Sequence, residues 1–132
     1  MRVKIVKVVA ASNDAGGIEF EVDGMKAEHA RLHLEKDSGQ HAINFQLHDQ
    51  TGRDLRFDPN DPIWIGEDCP CPPRRGINSD QMSVTGLSSR SLETVNSNSG
   101  RGRDLRYQLN FVDGQGMPSN CDPVIRNDGG KV

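Results

Sequence analysis

Ile18, Phe20 and Val22 alternate with Glu19 and Glu21. The same two-residue period returns at Ile43, Phe45 and Leu47, and again at Leu105, Tyr107, Leu109 and Phe111. Successive strand residues point to opposite faces, so this period belongs to a strand with one buried face. No long helical period competes with it. Asp23-Gly24 supplies the positive φ angles of a tight hairpin turn after the first run. Further short runs at Leu55/Phe57, Ile63–Ile65, Leu92/Val95 and Val124-Ile125 are separated by Gly, Pro and Asp turns. Short strands at this spacing predict an all-β fold, here an antiparallel Ig-like or Greek-key sandwich.

A chain of 132 residues is long enough for one hydrophobic core. A single domain over residues 1–132 is expected, with a proline-rich loop at 67–81 and a flexible C-terminal tail at 127–132. Residues 25–35 carry good helix formers, yet Ala30, Leu32 and Leu34 alternate. Pairing Glu35 with Gln40 across Lys36–Gly39 sets Leu34 against His41, Leu32 against Ile43 and Ala30 against Phe45. Every apolar position then shares one face, which predicts a 30–47 hairpin, with a short helical turn near 25–31 as the alternative.

The formal charge is −3, so no global basic field recruits nucleic acid or an anionic membrane. No apolar run approaches the ~20 residues of a membrane span. The N-terminal run Arg2–Val9 is broken by Lys4 and Lys7, unlike a secretory signal. A cytoplasmic protein is the expectation.

Glu67–Gly76 is the most distinctive stretch, with Cys69 and Cys71 flanking Pro70 and with Arg74 and Arg75 beyond two further prolines. Prolines exclude an ordinary ladder there, and long loops of this kind often carry function. Cys69, Cys71 and Cys121 lack the paired Cys-x₂₋₄-Cys spacing of a zinc site. Packed thiols, or one bridge from the loop to Cys121, are the structural alternative. A metal or thiol-redox centre would require all three sulfurs to converge. On a strand, His29 and His33 stand ~13 Å apart, too far for one ion. No hydrolase elbow, zinc-peptidase motif or phosphate loop occurs, so no catalytic residue, metal ligand or cofactor is assigned.

Trp64 lies out of phase with Ile63 and Ile65, so it faces away from the core. The segment Gly52–Phe57 recurs as Gly102–Tyr107 with Arg-Asp-Leu-Arg shared. Two equivalent turn-to-strand starts explain the echo, and the alternative is one site built from both Arg-Asp pairs. These features together predict a non-enzymatic binding module using Trp64, Cys69, Cys71, Arg74, Arg75 and Cys121. Its partner is a protein, a second copy of the chain or a small-molecule ligand. The runner-up is the metal or redox protein.

Asp-Pro occurs at Asp58-Pro59, Asp61-Pro62 and Asp122-Pro123. In these dipeptides the chain resembles an uncharacterised bacterial family called DP-EP, although no Glu-Pro occurs. The resemblance implies a small bacterial β-domain and brings no catalytic residue with it.

Overall fold

The computed structural model describes residues 1–69 and 72–130. Every regular element but one is a strand. In chain order these are β1 (Arg2–Ser12), β2 (Ile18–Val22), β3 (Met25–Lys26), β4 (Arg31–Leu34), β5 (His41–Asp49), β6 (Arg56–Phe57) and β7 (Ile63–Glu67). They continue as β8 (Ile77–Asn78), β9 (Met82–Leu87), β10 (Ser91–Asn96), β11 (Arg103–Val112), β12 (Pro118–Cys121) and β13 (Val124–Asn127). The exception is a single 3₁₀ turn, Ala27–His29, between β3 and β4. One sheet runs β3-β2-β1-β5-β10-β9. The other runs β4-β13-β11-β7-β8, and β6 and β12 also pair with β11.

The chain is therefore an all-β sandwich, as its periodicity predicts. Its sheets are mixed, however: β1 pairs β5 in parallel, β13 pairs β4 in parallel, and β7 pairs β8 in parallel. The two sheets share a core of Val6, Val8, Phe20, Ile43, Phe45 and Leu92 from one side. Leu105, Tyr107, Leu109, Phe111 and Ile125 meet them from the other. Phe20 stacks on Phe111 at 5.1 Å between ring centroids, and Phe45 tilts against Tyr107 at 5.4 Å. These contacts cross from sheet to sheet, so aromatic packing as well as apolar burial fixes how the sheets face each other.

The predicted 30–47 hairpin does not form. Leu34 and Ile43 are both buried, but from opposite sheets, because β4 pairs β13 while β5 lies between β1 and β10. Pairing of Glu35 with Gln40, Leu34 with His41, Leu32 with Ile43 and Ala30 with Phe45 is replaced by a crossover. Residues 27–29 form the helical turn, and the strand is confined to Arg31–Leu34.

Asp23-Gly24 does make the two-residue turn: both φ angles are positive, and Val22 pairs with Met25. The proline-rich loop is shorter than predicted, since Ile77–Asn78 rejoins the sheet beside Ile65 and Gly66. The segment expected as a flexible tail is held over 127–130. Asn127 is fully buried, Asp128 bonds Arg126, and Gly130 exchanges backbone hydrogen bonds with Gly100. Residues 131 and 132 lie outside the described residues.

Candidate functional site

The residues singled out from sequence divide into two places. Trp64 faces away from Ile63 and Ile65, which are both buried. Its indole N–H donates to Asp61 Oδ2 at 2.8 Å, and the Arg75 guanidinium reaches the same oxygen at 3.3 Å. Cys69 and Arg74 border an adjoining open cleft with Gly66, Glu67 and Asn78. The Asn78 amide donates to the carbonyls of Arg74, Arg75 and Gly76, which fixes the return of the loop. Four predicted residues thus gather at the β7–β8 edge. The Trp64 indole and the Arg75 guanidinium are engaged on Asp61, while the Arg74 and Arg75 side chains remain exposed. Cys71 lies outside the described residues.

Cys121 is elsewhere. It pairs with Leu109 from one side of β11, while Ile63 pairs with Leu109 from the other. Cys69 folds over Gly66, which pairs with Arg106. Two strand spacings and three residues of rise each amount to ~10 Å, so the two sulfurs are far beyond disulfide reach. Of the structural alternatives, a bridge from Cys69 to Cys121 does not form: both are free thiols, and they do not converge on one ion. Burial pushes the Cys121 thiol well above its ordinary pKa, and the neighbouring Asp122 adds to the effect. Such a thiol is a poor nucleophile.

The Arg-Asp echo also separates. Arg53 and Asp54 sit beside Gly114, past the C-terminal end of β11. Arg103 and Asp104 open the same strand at its N-terminal end. Leu55, Phe57, Leu105 and Tyr107 are buried in both copies, so the shared pattern serves two starts of core strands. Around the second copy the charges neutralise one another: Asp104 meets Arg31 and Arg126, and Asp128 meets Arg126 and His33. Arg103 and Arg101 both reach Glu67.

A different surface emerges at β1, a strand that the sequence reading passed over. β1 pairs with β5 along Arg2–Ala10, but β2 covers only Val8–Ser12 on its other side. Backbone hydrogen bonds fix which residues face which neighbour. Arg2 N–H donates to Gln40, and the Ala10 carbonyl accepts from Gln50, so even-numbered residues face β5. Lys7 exchanges with Asp23 on the opposite side. Its carbonyl accepts from Asp23 N–H, and its N–H donates to Asp23 Oδ1, both at 2.8 Å.

By the same alternation, the N–H and C=O of Val3 and Ile5 point toward the β2 side. No strand lies there among the described residues. Val3 is 67% exposed and Ile5 61%. Arg2, Lys4 and Lys7 surround them, and among the described residues none of these three enters an ion pair. The Asp23-Gly24 turn closes this edge at Lys7, where β2 leaves β1.

The chain matches no protein-family model and no curated protein. The arrangement at β1 is a strand edge with unpaired backbone, two exposed aliphatic side chains and unneutralised cations. Chemically it can do one thing well, which is to accept another strand.

Proposed function

We propose that the protein is an interaction module that binds an extended, acidic and apolar segment of a partner protein by strand addition at Arg2–Val6. The single observation behind this reading is the direction of the Val3 and Ile5 backbone groups, four hydrogen-bonding positions aimed at an edge that β2 does not reach. Side chains then choose the partner. An incoming strand sets apolar residues opposite Val3 and Ile5, and carboxylates opposite Arg2 and Lys4, where cross-strand pairs of opposite charge are stabilising. β1 already pairs with one alternating strand, β2, whose phase differs: its Phe20 and Val22 face the core and its glutamates lie opposite Val9 and Ala11. A second copy of β1 suits the edge less well. Its full antiparallel overlap sets Lys4 against Lys4, a like-charge pair that opposes association.

Titration of the protein with a capped Leu-Ile-Glu-Val-Glu peptide, followed by amide NMR, tests this. Val3 and Ile5 amides should shift and become protected from exchange, and a peptide with lysine in place of glutamate should not do this. Ile5→Pro should fold normally, because the N–H it removes does not face β5, and it should abolish binding. No change at Val3 and Ile5 with peptide near ~1 mM, the range of the weakest specific complexes, would refute the reading.

A further inference from the structure

A cavity of about 70 Å³ opens beside this edge, between the two sheets, lined by Val6, Val22, Met25, Ala30, Leu32 and Tyr107, with the charged Asp23 and Arg31 also on its lining. Its walls come from three places: β1, the β2–β3 hairpin, and the segment leading into β4. It is lined mainly by apolar groups, and Met25 at its wall is 53% exposed. An isolated apolar slot on a surface is unremarkable. This one sits next to Val6, the last residue of β1 before Asp23 closes the edge.

Val6 has the same parity as Val8 and Ala10, which face the core. A strand added antiparallel along Arg2–Val6 therefore directs the side chain opposite Val6 inward, toward the gap between the sheets. The residues opposite Val3 and Ile5 point outward. Those opposite Arg2 and Lys4 point inward, but there they meet the cations rather than the slot.

We infer that the partner strand is selected by one aliphatic side chain, placed opposite Val6 and seated in this slot. This inference rests on strand addition at β1 and adds the specificity element to it. Strand addition draws affinity from main-chain hydrogen bonds and discrimination from pockets that accept alternate side chains. The recognised segment then reads, from its N-terminus, aliphatic, apolar, acidic, apolar, acidic.

The test compares capped Leu-Ile-Glu-Val-Glu with Ser-Ile-Glu-Val-Glu, both read at the Val3 and Ile5 amides. Leucine should bind about tenfold more tightly than serine, a difference near 1.4 kcal/mol. Ala30→Leu fills the slot and should erase the leucine advantage while leaving the serine peptide's affinity unchanged. Met25→Ala removes an exposed wall without burdening the core. It should shrink the same advantage, and it serves if Ala30→Leu fails to fold. Equal binding of the two peptides, with both shifting Val3 and Ile5, would overturn the slot and leave strand addition standing. Failure of both peptides to shift those amides would overturn strand addition itself, and the slot with it.

Discussion

Asn96 and Asn127 are fully buried and face each other across the gap between β10 and β13. Asn96 Nδ2 donates to Asn127 Oδ1 at 2.9 Å, and Asn127 Nδ2 returns a bond to Asn96 Oδ1 at 2.8 Å. Asn127 Nδ2 also reaches Gln81 Oε1 at 3.2 Å. Asn127→Ala removes three hydrogen bonds. Asn96 Oδ1 keeps the Asn98 N–H, and Gln81 Oε1 keeps the Ser99 N–H. Asn96 Nδ2 is left with no acceptor. An orphaned buried donor costs ~1–3 kcal/mol and the two other lost bonds ~0.5–1.5 each, so the variant should lose about 4 kcal/mol. Asn96→Ala should cost a similar amount, because it orphans Asn127 Oδ1 and the Asn98 N–H. The double variant removes the shared orphans. It should therefore cost less than the sum of the singles by ~1–2 kcal/mol, well beyond the ~0.5 kcal/mol scatter of independent sites. Urea unfolding of the four proteins measures this. Strictly additive losses would show that the amide pair does not tie the sheets together.

Two further outcomes follow from groups whose surroundings differ sharply from water. The Asp49 side chain is almost buried, and that burial alone would raise its pKa. The Thr51 hydroxyl and N–H, the Leu55 N–H and Arg90 outweigh it and hold the carboxyl below its ordinary value. Its stabilising contribution is therefore complete above the unfolded carboxyl pKa near ~4 and is lost as pH falls through the lowered folded value. Asp49→Asn should destabilise the protein by about 2 kcal/mol at neutral pH and flatten that part of the acid limb. An unchanged acid limb in urea titrations would refute this. Cys121 should resist alkylation in the folded protein and react only on unfolding, while Cys69, part-exposed, reacts first. Peptide mapping that finds both modified at equal rates would contradict the burial argument.

Parity was legible in the sequence because it is local. The alternation in Ile18–Val22, Ile43–Leu47 and Leu105–Phe111 marks the core-facing side chains, although Ile18 is only half-buried and the out-of-phase Gln108 is buried as well. Pairing is not local, and there the reading failed in an instructive way. Leu32 and Leu34 in phase with Ile43 are compatible with one sheet face. They are equally compatible with two faces meeting across a core, and periodicity cannot separate these cases. The intervening Asp37-Ser38-Gly39 has the residues of a hairpin turn, and both Asp37 and Gly39 adopt positive φ. What settles their role lies far away in the chain. Asp37 N–H donates to the Gly129 carbonyl, and the Asn98 amide donates to the Glu35 carbonyl. A turn whose backbone is satisfied by residues some sixty to ninety positions on is a corner between sheets, and no window of neighbouring residues contains that information.

The candidate site was illegible for a related reason. Trp64, Cys69, Arg74 and Arg75 stood out because rare or clustered residue types attract notice, and they do meet at one edge. Much of what they offer there is spent inward, on Asp61 and on the loop. The open edge of β1 has no motif at all. Val3 and Ile5 are ordinary strand residues, and Lys4 and Lys7 read only as interruptions of an apolar run. Their meaning depends on a difference in length: β1 has eleven residues and β2 has five. The Asp23-Gly24 turn that ends β2 was plain in the sequence. That it ends β2 opposite Lys7, and so leaves Val3 and Ile5 unpaired, is a property of the register between the two strands. Register is set by the core positions Val8, Ala10, Phe20 and Val22. The same residues that bury the sandwich thus decide where its backbone remains open to a partner.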